Sequence, residues 1–241
     1  MKIKIAPSPN FEKKKRPKSS IKLIVIHYTG MQSGRESLAR LRSTKFKVSS
    51  HFLVSEAGNV YKLVDENKAA WHAGISYWGK YKNINKNSIG IELVNKGHRH
   101  GYKYFKKKQI SSLIKICNLL KKKYKIKNRY IVGHSDVAPL RKKDPGEKFP
   151  WQHLSKKNIG IWHDCKSKIL KKSRKIKIIS NQDKKKFIKI LKKIGYYFPN
   201  KNQFLLRKVI TAFQRHYRKE LINGIIDKEC LIIAINLAKK L

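Results

Sequence analysis

Three side chains have the types and positions needed to bind a metal ion. His27 ends the apolar run KLIVIH at 22–27, and His134 follows a second run, YIVG, at 130–133. Asp144 comes ten residues after His134, in a loop whose prolines disfavour a helix. Two histidines and a carboxylate can bind catalytic zinc and leave a fourth position open for water. The spacing alone leaves another interpretation open, in which each histidine is a hydrogen-bonded structural residue.

Glu92 and Lys142 have the chemistry to assist hydrolysis at such a metal. Glu92 interrupts the apolar run IGIELV at 89–94, where an unpaired buried carboxylate would be costly. A carboxylate with a raised pKa is suited to act as a general base. Lys142 lies two residues before Asp144, so in an extended segment both side chains point the same way, and its ammonium could stabilise an oxyanion. The alternatives are a buried salt bridge for Glu92 and a solvated position for Lys142.

Hydrophobic periodicity predicts an α/β fold with a mixed central β-sheet flanked by helices. The near-continuous apolar runs are typical of strands buried on both faces. The predicted strands cover 22–27, 51–54, 59–64, 89–94 and 130–133. The second and third of these flank the turn SEAGN and predict a hairpin. Apolar residues at helical spacing predict a helix at 107–124 that covers one face of the sheet.

The chain divides into segments of different composition. Residues 1–20 contain three prolines and a KKKR run, which predict an extended, exposed, basic arm. Residues 21–170 contain the predicted sheet and every candidate site residue. A basic link at 171–180 precedes the segment 181–241, which shows helical patterns only.

The segment 181–241 predicts a small, independent, all-α bundle of three helices. Asp183 is the predicted cap of the first helix, which ends at Gly195, and Asp227 is the predicted cap of the third. The second helix is predicted at 203–217. The predicted core of the bundle consists of Ile190, Leu191, Ile194, Leu206, Ile210, Phe213, Leu231, Ile235 and Leu237.

Composition limits the classes of protein that this chain can belong to. It has 241 residues and a formal net charge of +45, which favours polyanionic partners such as nucleic acid, anionic membrane or cell wall. The lysines are dispersed, so a codon-usage bias is an equally good explanation, and a specific nucleic-acid surface is not expected. Three widely spaced cysteines disfavour a disulfide framework. No apolar run is long enough to span a membrane, and the N-terminus lacks a recognisable signal, which predicts a cytoplasmic protein.

An ordered series of short blocks resembles a known family. The blocks are VIHYT (25–29), SSHFLV (49–54), GNVY (58–61), WHAG (71–74), SIGIELV (88–94), VGHSDVAP (132–139) and KKDPGEKFPW (142–151). They resemble the zinc-dependent N-acetylmuramoyl-L-alanine amidases, a superfamily that includes peptidoglycan-recognition proteins. The resemblance covers about 20–165. It implies a mixed sheet with flanking helices and cleavage of the amide between the lactyl group of N-acetylmuramic acid and L-alanine.

The resemblance also implies a role for individual residues. The ligands of one zinc ion per chain would be His27, His134 and Asp144, and Glu92 would activate the water. Lys142 would stabilise the tetrahedral intermediate. Two further residues would line the substrate cleft: Tyr28 and His72.

The C-terminal segment is similar to the three-helix peptidoglycan-binding module that accompanies such amidases, although its lead-in is lysine-rich. The expected partner is peptidoglycan or a muropeptide, and the expected state is a monomer. A non-catalytic peptidoglycan-recognition protein is the alternative function. Intact wall and anhydro-muropeptide fragments both remain possible substrates. A wall-binding module would favour the periplasm or cell envelope over the cytoplasm.

Overall fold

A computed structural model describes residues 2–177, 180–198 and 202–241. Its centre is a six-stranded mixed sheet with the strand order β1-β4-β3-β7-β2-β8. The strands are β1 (Ile3–Ile5), β2 (Leu23–Tyr28), β3 (Phe52–Val54), β4 (Val60–Lys62), β7 (Ser88–Leu93) and β8 (Ile131–Gly133). A separate two-stranded ribbon consists of β5 (Tyr77–Trp78) and β6 (Tyr81–Lys82).

Helices cover the sheet and make up the C-terminal part of the chain. In the described residues they are α1 (Gly34–Arg42), α2 (Ile84–Asn87), α3 (Lys107–Tyr124), α4 (His134–Val137), α5 (Trp151–Ser155), α6 (Ser167–Ser173), α7 (Asn181–Ile194), α8 (Gln203–Tyr217) and α9 (Lys228–Ala238). Among these described helices, none is both long and apolar enough to cross a lipid bilayer.

The predicted mixed α/β sheet is confirmed. Strand β2 lies between β7 and β8 and runs parallel to both, which explains why its apolar run is nearly continuous. The hairpin of β3 and β4 is antiparallel, as predicted. Ile24 and Ile26 of β2 pack with α3, whose bounds agree with the predicted helix, while Leu23 and Val25 point to the opposite face.

The opposite face of the sheet packs against the C-terminal helices. All nine residues of the predicted bundle core lie in or against one hydrophobic cluster. That cluster also contains Leu23, Val25 and Val132 from the sheet, so the bundle does not have a core of its own. The prediction of an independent bundle was therefore wrong, because apolar side chains of α7, α8 and α9 share one hydrophobic cluster with side chains of β2 and β8.

The ends of these helices agree in part with the predicted caps. The side chain of Asp227 accepts a hydrogen bond from the backbone N–H of Cys230 and caps α9, as predicted. The cap of α7 is Ser180, which accepts from the N–H groups of Gln182 and Asp183. The prediction of Asp183 as the cap was wrong, because this residue lies within the first turn, where its negative charge favours the helix dipole.

The N-terminal segment is extended but is not an exposed arm. Strand β1 pairs in parallel with β4 at the edge of the sheet. Asn10 is buried and donates to the carbonyl oxygens of Ser43 and Val48, and Arg16 donates to the carbonyl oxygen of Glu66. The prediction of an exposed arm at 1–20 was wrong for Asn10 and Arg16, because their side chains donate to backbone acceptors in neighbouring loops.

Candidate active site

The candidate site lies where parallel strands end at the same edge of the sheet. His27, near the end of β2, is the register partner of Glu92 on β7. Ile26 of β2 pairs with Gly133, so His134, which follows β8, lies beside His27. Neighbouring parallel strands therefore bring together three of the predicted site residues from segments far apart in sequence.

Asp144 completes a compact group with the two histidines. The backbone N–H of Ser135 donates to the carbonyl oxygen of Asp144 at 2.8 Å and closes the loop at 134–144. A Cβ on Gly133 would lie 2.6 Å from Cδ of Pro145, so only glycine allows this close approach. The closed loop turns the carboxylate of Asp144 back towards His134.

Three ligand atoms converge on one point. Nδ1 of His27 lies 2.8 Å from Nδ1 of His134 and 3.1 Å from Oδ2 of Asp144. Nδ1 of His134 lies 3.0 Å from the same carboxylate oxygen. All three residues are buried. Ligands around tetrahedral zinc at about 2 Å are roughly 3.3 Å from one another, so these separations are only a few tenths of an ångström shorter. Among the parts of the chain that the structure describes, this is the group of side chains able to hold a metal ion.

Hydrogen bonds indicate which nitrogen of His134 faces this point. Its Nε2 lies 3.1 Å from the carbonyl oxygen of Ala73, which can only accept, so Nε2 bears the proton. In the neutral ring Nδ1 is then an unprotonated acceptor directed at the carboxylate of Asp144.

A chain of hydrogen bonds sets the tautomer of His27. The hydroxyl of Ser88 donates to the carbonyl oxygen of Ile84 at 2.6 Å, so it accepts from Nε2–H of His72 at 3.1 Å. Nδ1 of His72 then accepts from Nε2–H of His27 at 3.0 Å. We infer that Nδ1 of His27 is unprotonated, and we call the residues Ser88, His72 and His27 the tautomer relay.

The electrostatics agree with this donor set. Burial, followed by the neighbouring His134, lowers the pKa of His27 to about 4. Burial alone would raise the pKa of Asp144, but its contacts with His134 and His27 hold it well below its usual range. At neutral pH His27 is thus a neutral imidazole and Asp144 a carboxylate, which are the protonation states that zinc requires.

One face of β7 is shaped to hold this arrangement. Ile89 and Ile91 pack with α3, so Ser88, Gly90 and Glu92 face the other side of the sheet. A Cβ on Gly90 would lie 2.5 Å from Cγ of His72, so the ring fits against the strand only over a glycine. The sequence predicted His72 as a cleft residue. It does line the cleft, but both ring nitrogens are engaged within the relay.

Glu92 and Lys142 line the same cleft as His134 and Asp144. Oε2 of Glu92 is inaccessible to solvent and has no hydrogen-bond partner among the described residues. Burial and the nearby carboxylate of Asp144 raise the pKa of Glu92 to about 8, and the ammonium of Lys142 acts in the opposite direction. The buried salt bridge considered as an alternative for Glu92 does not occur in the described part of the chain.

The cleft has a volume of about 550 Å³ and a strongly basic rim. Its cationic lining residues are Arg40, Arg99, Arg141, Lys142 and Lys143. Tyr28 forms part of one wall, with its hydroxyl 2.9 Å from Nδ1 of His98. Nε2 of His98 lies 3.1 Å from the carboxylate of Glu147, so it donates there, and its Nδ1 accepts from the Tyr28 hydroxyl. The cleft therefore combines a buried ligand set with a surface suited to an anionic substrate.

Sequence reasoning missed residues that support the ligands. Ser88 and Asp136 lie inside quoted sequence blocks but had no assigned role. The signal for Ser88 was the alternation of small or polar residues with isoleucines along 88–92. His51, in the block SSHFLV, is fully buried, and its Nδ1 accepts from the backbone N–H of Gly90, which indicates a structural role.

Comparison with known proteins places this geometry in a family. The model of the N-acetylmuramoyl-L-alanine amidase family matches residues 17–147. N-acetylmuramoyl-L-alanine amidase AmiD of Escherichia coli (strain K12) is 39% identical over 91% of this chain and 83% of its own length. The 1,6-anhydro-N-acetylmuramyl-L-alanine amidase AmpD of Haemophilus influenzae is 34% identical over 60% of this chain and 86% of its own length.

A solved structure extends the similarity to the whole fold. The E. coli AmiD structure, a complex with anhydro-N-acetylmuramic acid-L-Ala-D-γ-Glu-L-Lys, superposes with a TM-score of 0.80 at 35% identity. The match covers 95% of this chain and 92% of that one, and therefore includes the C-terminal helices. The family is typically zinc-dependent, and this chain has a His-His-Asp site in the matching domain. The resemblance seen in the sequence blocks is therefore confirmed, and the chain belongs to the N-acetylmuramoyl-L-alanine amidases, enzymes that hydrolyse the amide between N-acetylmuramic acid and L-alanine.

Proposed function

We propose that this chain holds one zinc ion through Nδ1 of His27, Nδ1 of His134 and Oδ2 of Asp144, and hydrolyses muropeptides there. The observation that supports this most strongly is the convergence of two histidine nitrogens and a carboxylate oxygen within 3.1 Å of one another. With both Nδ1 atoms unprotonated, as inferred from the hydrogen bonds of the two rings, the three lone pairs would repel one another unless a cation lay between them. Two imidazoles and one carboxylate suit zinc better than magnesium or calcium, which prefer oxygen ligands. When bound, zinc supplies a Lewis acid that polarises the scissile carbonyl and lowers the pKa of a water molecule.

Glu92 acts as the general base and then as the general acid. Its carboxylate faces the cleft beside the ligands, and its raised pKa of about 8 lies near neutral pH, where a group can both take and return a proton. Glu92 takes a proton from the attacking water. It then gives that proton to the nitrogen of L-alanine as the amide bond breaks.

Lys142 stabilises the negative charge that develops on the lactyl carbonyl oxygen. It is half-buried on the cleft wall and acts electrostatically on both Glu92 and His27. A fixed ammonium in a partly desolvated cleft interacts more strongly with an oxyanion than one in water. Lys142 holds its position because its backbone N–H donates to the carbonyl oxygen of Ala138.

The proposed substrate is a muramyl group carrying a stem peptide. The basic rim complements the carboxylates of such a peptide, and the solved AmiD complex contains an anhydro-muramyl peptide of this kind. Tyr28 lines the cleft and is proposed to contact the substrate. For His72 the engaged ring nitrogens support a role in positioning His27 more than direct contact with substrate.

Metal analysis combined with matched variants tests this function. We expect about one zinc per chain in the purified protein, and loss of both metal and activity in His27→Ala. Glu92→Gln should retain zinc but release stem peptide from anhydro-muramyl tripeptide roughly 10²–10⁴-fold more slowly, because only the proton transfer is removed. Glu56→Gln, an exposed carboxylate in the β3–β4 turn, is the matched control. A fully active Glu92→Gln enzyme, or wild-type protein without zinc and insensitive to chelators, would contradict the proposal.

The form of the substrate and the compartment are linked. Small anhydro-muropeptides would be met in the cytoplasm, and intact wall in the envelope. Cell fractionation, with assays on tripeptide fragments and on sacculi, distinguishes the two. We also propose that the chain is a monomer. Specific nucleic-acid binding is not proposed, because the lysines are dispersed along the chain. Gel filtration and binding to duplex DNA at increasing salt test these two points.

A further inference from the structure

Asp136 connects the loop of metal ligands to the C-terminal helices. It lies two residues after His134, within the loop at 134–144, which also contains Lys142 and Asp144. Its side chain is almost completely buried, with 1% exposed. A buried carboxylate needs several hydrogen-bond donors to remain charged, so the identity of those donors shows what holds the loop.

Three donors converge on Asp136, and two of them come from outside the sheet domain. The backbone N–H of Gly133 donates to Oδ2 at 2.7 Å. Nδ1–H of His216, on α8, donates to the same oxygen at 2.7 Å. The hydroxyl of Tyr196, just after α7, donates to Oδ1 at 2.7 Å. Both carboxylate oxygens are therefore fixed by the C-terminal helices.

The rings that bear these donors are themselves held in place. The imidazole of His216 stacks on Trp151, with ring centroids 3.9 Å apart and planes 14° apart. Tyr196 is 2% exposed and packs edge-on against Trp78, at 5.0 Å between centroids. Because both rings are packed against tryptophans, their donor atoms have defined positions and restrict the position of Asp136.

We propose that Tyr196 and His216 are positioning residues for catalysis: acting through Asp136, they hold the loop at 134–144 so that His134, Lys142 and Asp144 converge on His27. The inference rests on the proposed zinc site. In this proposal the C-terminal helices contribute to catalysis by positioning the metal ligands. This role does not require the helices to bind cell wall. The bond between Ser135 N–H and Asp144 links the two ends of the loop, so a displacement at Asp136 moves both metal ligands together.

Zinc affinity measured by chelator competition tests this inference without relying on activity. Tyr196→Phe removes one donor and keeps the ring, and His216→Leu removes the other. We expect each variant to weaken zinc binding by about 10-fold, the lower range for groups that orient metal ligands. kcat should fall more than KM rises, because Tyr28, Arg40 and Arg99 line the cleft from outside the loop at 134–144. His216→Asn, whose amide N–H can replace Nδ1–H, should recover much of the affinity.

Two controls separate positioning from general destabilisation. Tyr197→Phe removes a neighbouring hydroxyl from a ring that stacks on Tyr77 and has no hydrogen bond to Asp136. Ile233→Val loosens the buried face of α9, a helix that bears neither of the two donors to Asp136. Both should keep wild-type zinc affinity even where they lower the unfolding midpoint. Amide hydrogen exchange of Ser135, faster in Tyr196→Phe than in Tyr197→Phe, gives a second readout that needs no metal.

The outcomes distinguish this inference from the proposed function. If wild-type protein binds no zinc, the proposed function fails first. If wild-type protein binds zinc, and folded Tyr196→Phe and His216→Leu bind it within twofold of wild type with unchanged Ser135 exchange, the positioning role is overturned. Equal losses in Ile233→Val and Tyr196→Phe would also overturn it, because stability alone would then explain the effect.

Discussion

Removing the hydroxyl of Ser88 tests whether the tautomer relay matters for metal binding. In Ser88→Ala, Nε2 of His72 loses the hydroxyl oxygen that accepts its hydrogen bond at 3.1 Å. The tautomer of His72 with its proton on Nε2 is then no longer favoured. If the proton moves to Nδ1 of His72, that nitrogen can no longer accept from His27. His27 then favours the tautomer with its proton on Nδ1, which faces the metal. The side chain of Ser88 is fully buried, so water cannot easily replace the lost oxygen.

The size of the effect follows from the hydrogen bonds that are lost. A buried donor left unsatisfied costs about 1–3 kcal/mol, and each 1.4 kcal/mol is a factor of ten in an equilibrium constant. If that cost falls on the zinc-bound state, affinity should drop by roughly 10- to 100-fold, the range known for residues that orient metal-binding histidines. The loss of stability in the metal-free protein should be smaller than the loss of zinc affinity.

Chelator competition at pH 7 measures the effect directly. Ser50→Ala is the matched control, because Ser50 is equally buried and its hydroxyl donates to the carbonyl oxygen of Phe52, outside the relay. We expect zinc affinity to fall in Ser88→Ala and to stay near wild type in Ser50→Ala. Equal zinc affinity in Ser88→Ala and wild type, with both proteins folded, would refute the tautomer argument.

Two further predictions concern pH and metal removal. Burial, followed by the charge of Arg16, lowers the pKa of His51 to about 3, and its Nδ1 accepts from Gly90 N–H, so the folded state resists protonation. The unfolded state takes up a proton below about pH 6.5, so stability should fall as pH decreases from 6.5 towards 3, by about 2 kcal/mol at pH 5 from this group alone. Urea unfolding should show a shallower loss in His51→Gln, and equal slopes would contradict the assignment. Removing zinc with a chelator should lower the thermal midpoint, because a ligand at 100 times its Kd stabilises by about 2.7 kcal/mol; an unchanged midpoint would contradict metal binding to the native state.

The sheet and the candidate ligand set were predictable because their signals are local. Apolar runs mark β2 and β7, and the polar residue that interrupts or ends each run is a candidate site residue, Glu92 or His27. A polar side chain in a buried strand is costly unless it has a function or a partner. The blocks that resemble the amidase family then assigned a role to each of these residues.

The residues that position the candidate ligands were not predictable, because their contacts depend on how distant segments of the chain are placed relative to one another. The apolar run at 89–94 was interpreted as a strand buried on both faces. In the structure one face packs against α3, and the face with Ser88 and Gly90 receives His72 from a loop. Nothing in the composition of 71–74 indicates which strand it packs against. The N-terminal segment was likewise mispredicted, because its prolines and lysines indicate an exposed segment whereas Asn10 is buried.

The two sets of supporting contacts constrain the ligands from opposite directions. The tautomer relay approaches His27 from β7 and determines which atom it presents. The contacts at Asp136 approach His134 and Asp144 from the C-terminal helices and determine where those ligands lie. A zinc site needs both conditions, because a correctly placed histidine with a proton on Nδ1 binds no better than a displaced one.

Variants in the two sets should therefore weaken zinc binding additively, since Ser88 and Tyr196 share no hydrogen-bond partner. A double variant Ser88→Ala/Tyr196→Phe that binds zinc no more weakly than the worse single variant would show that both act through one common displacement.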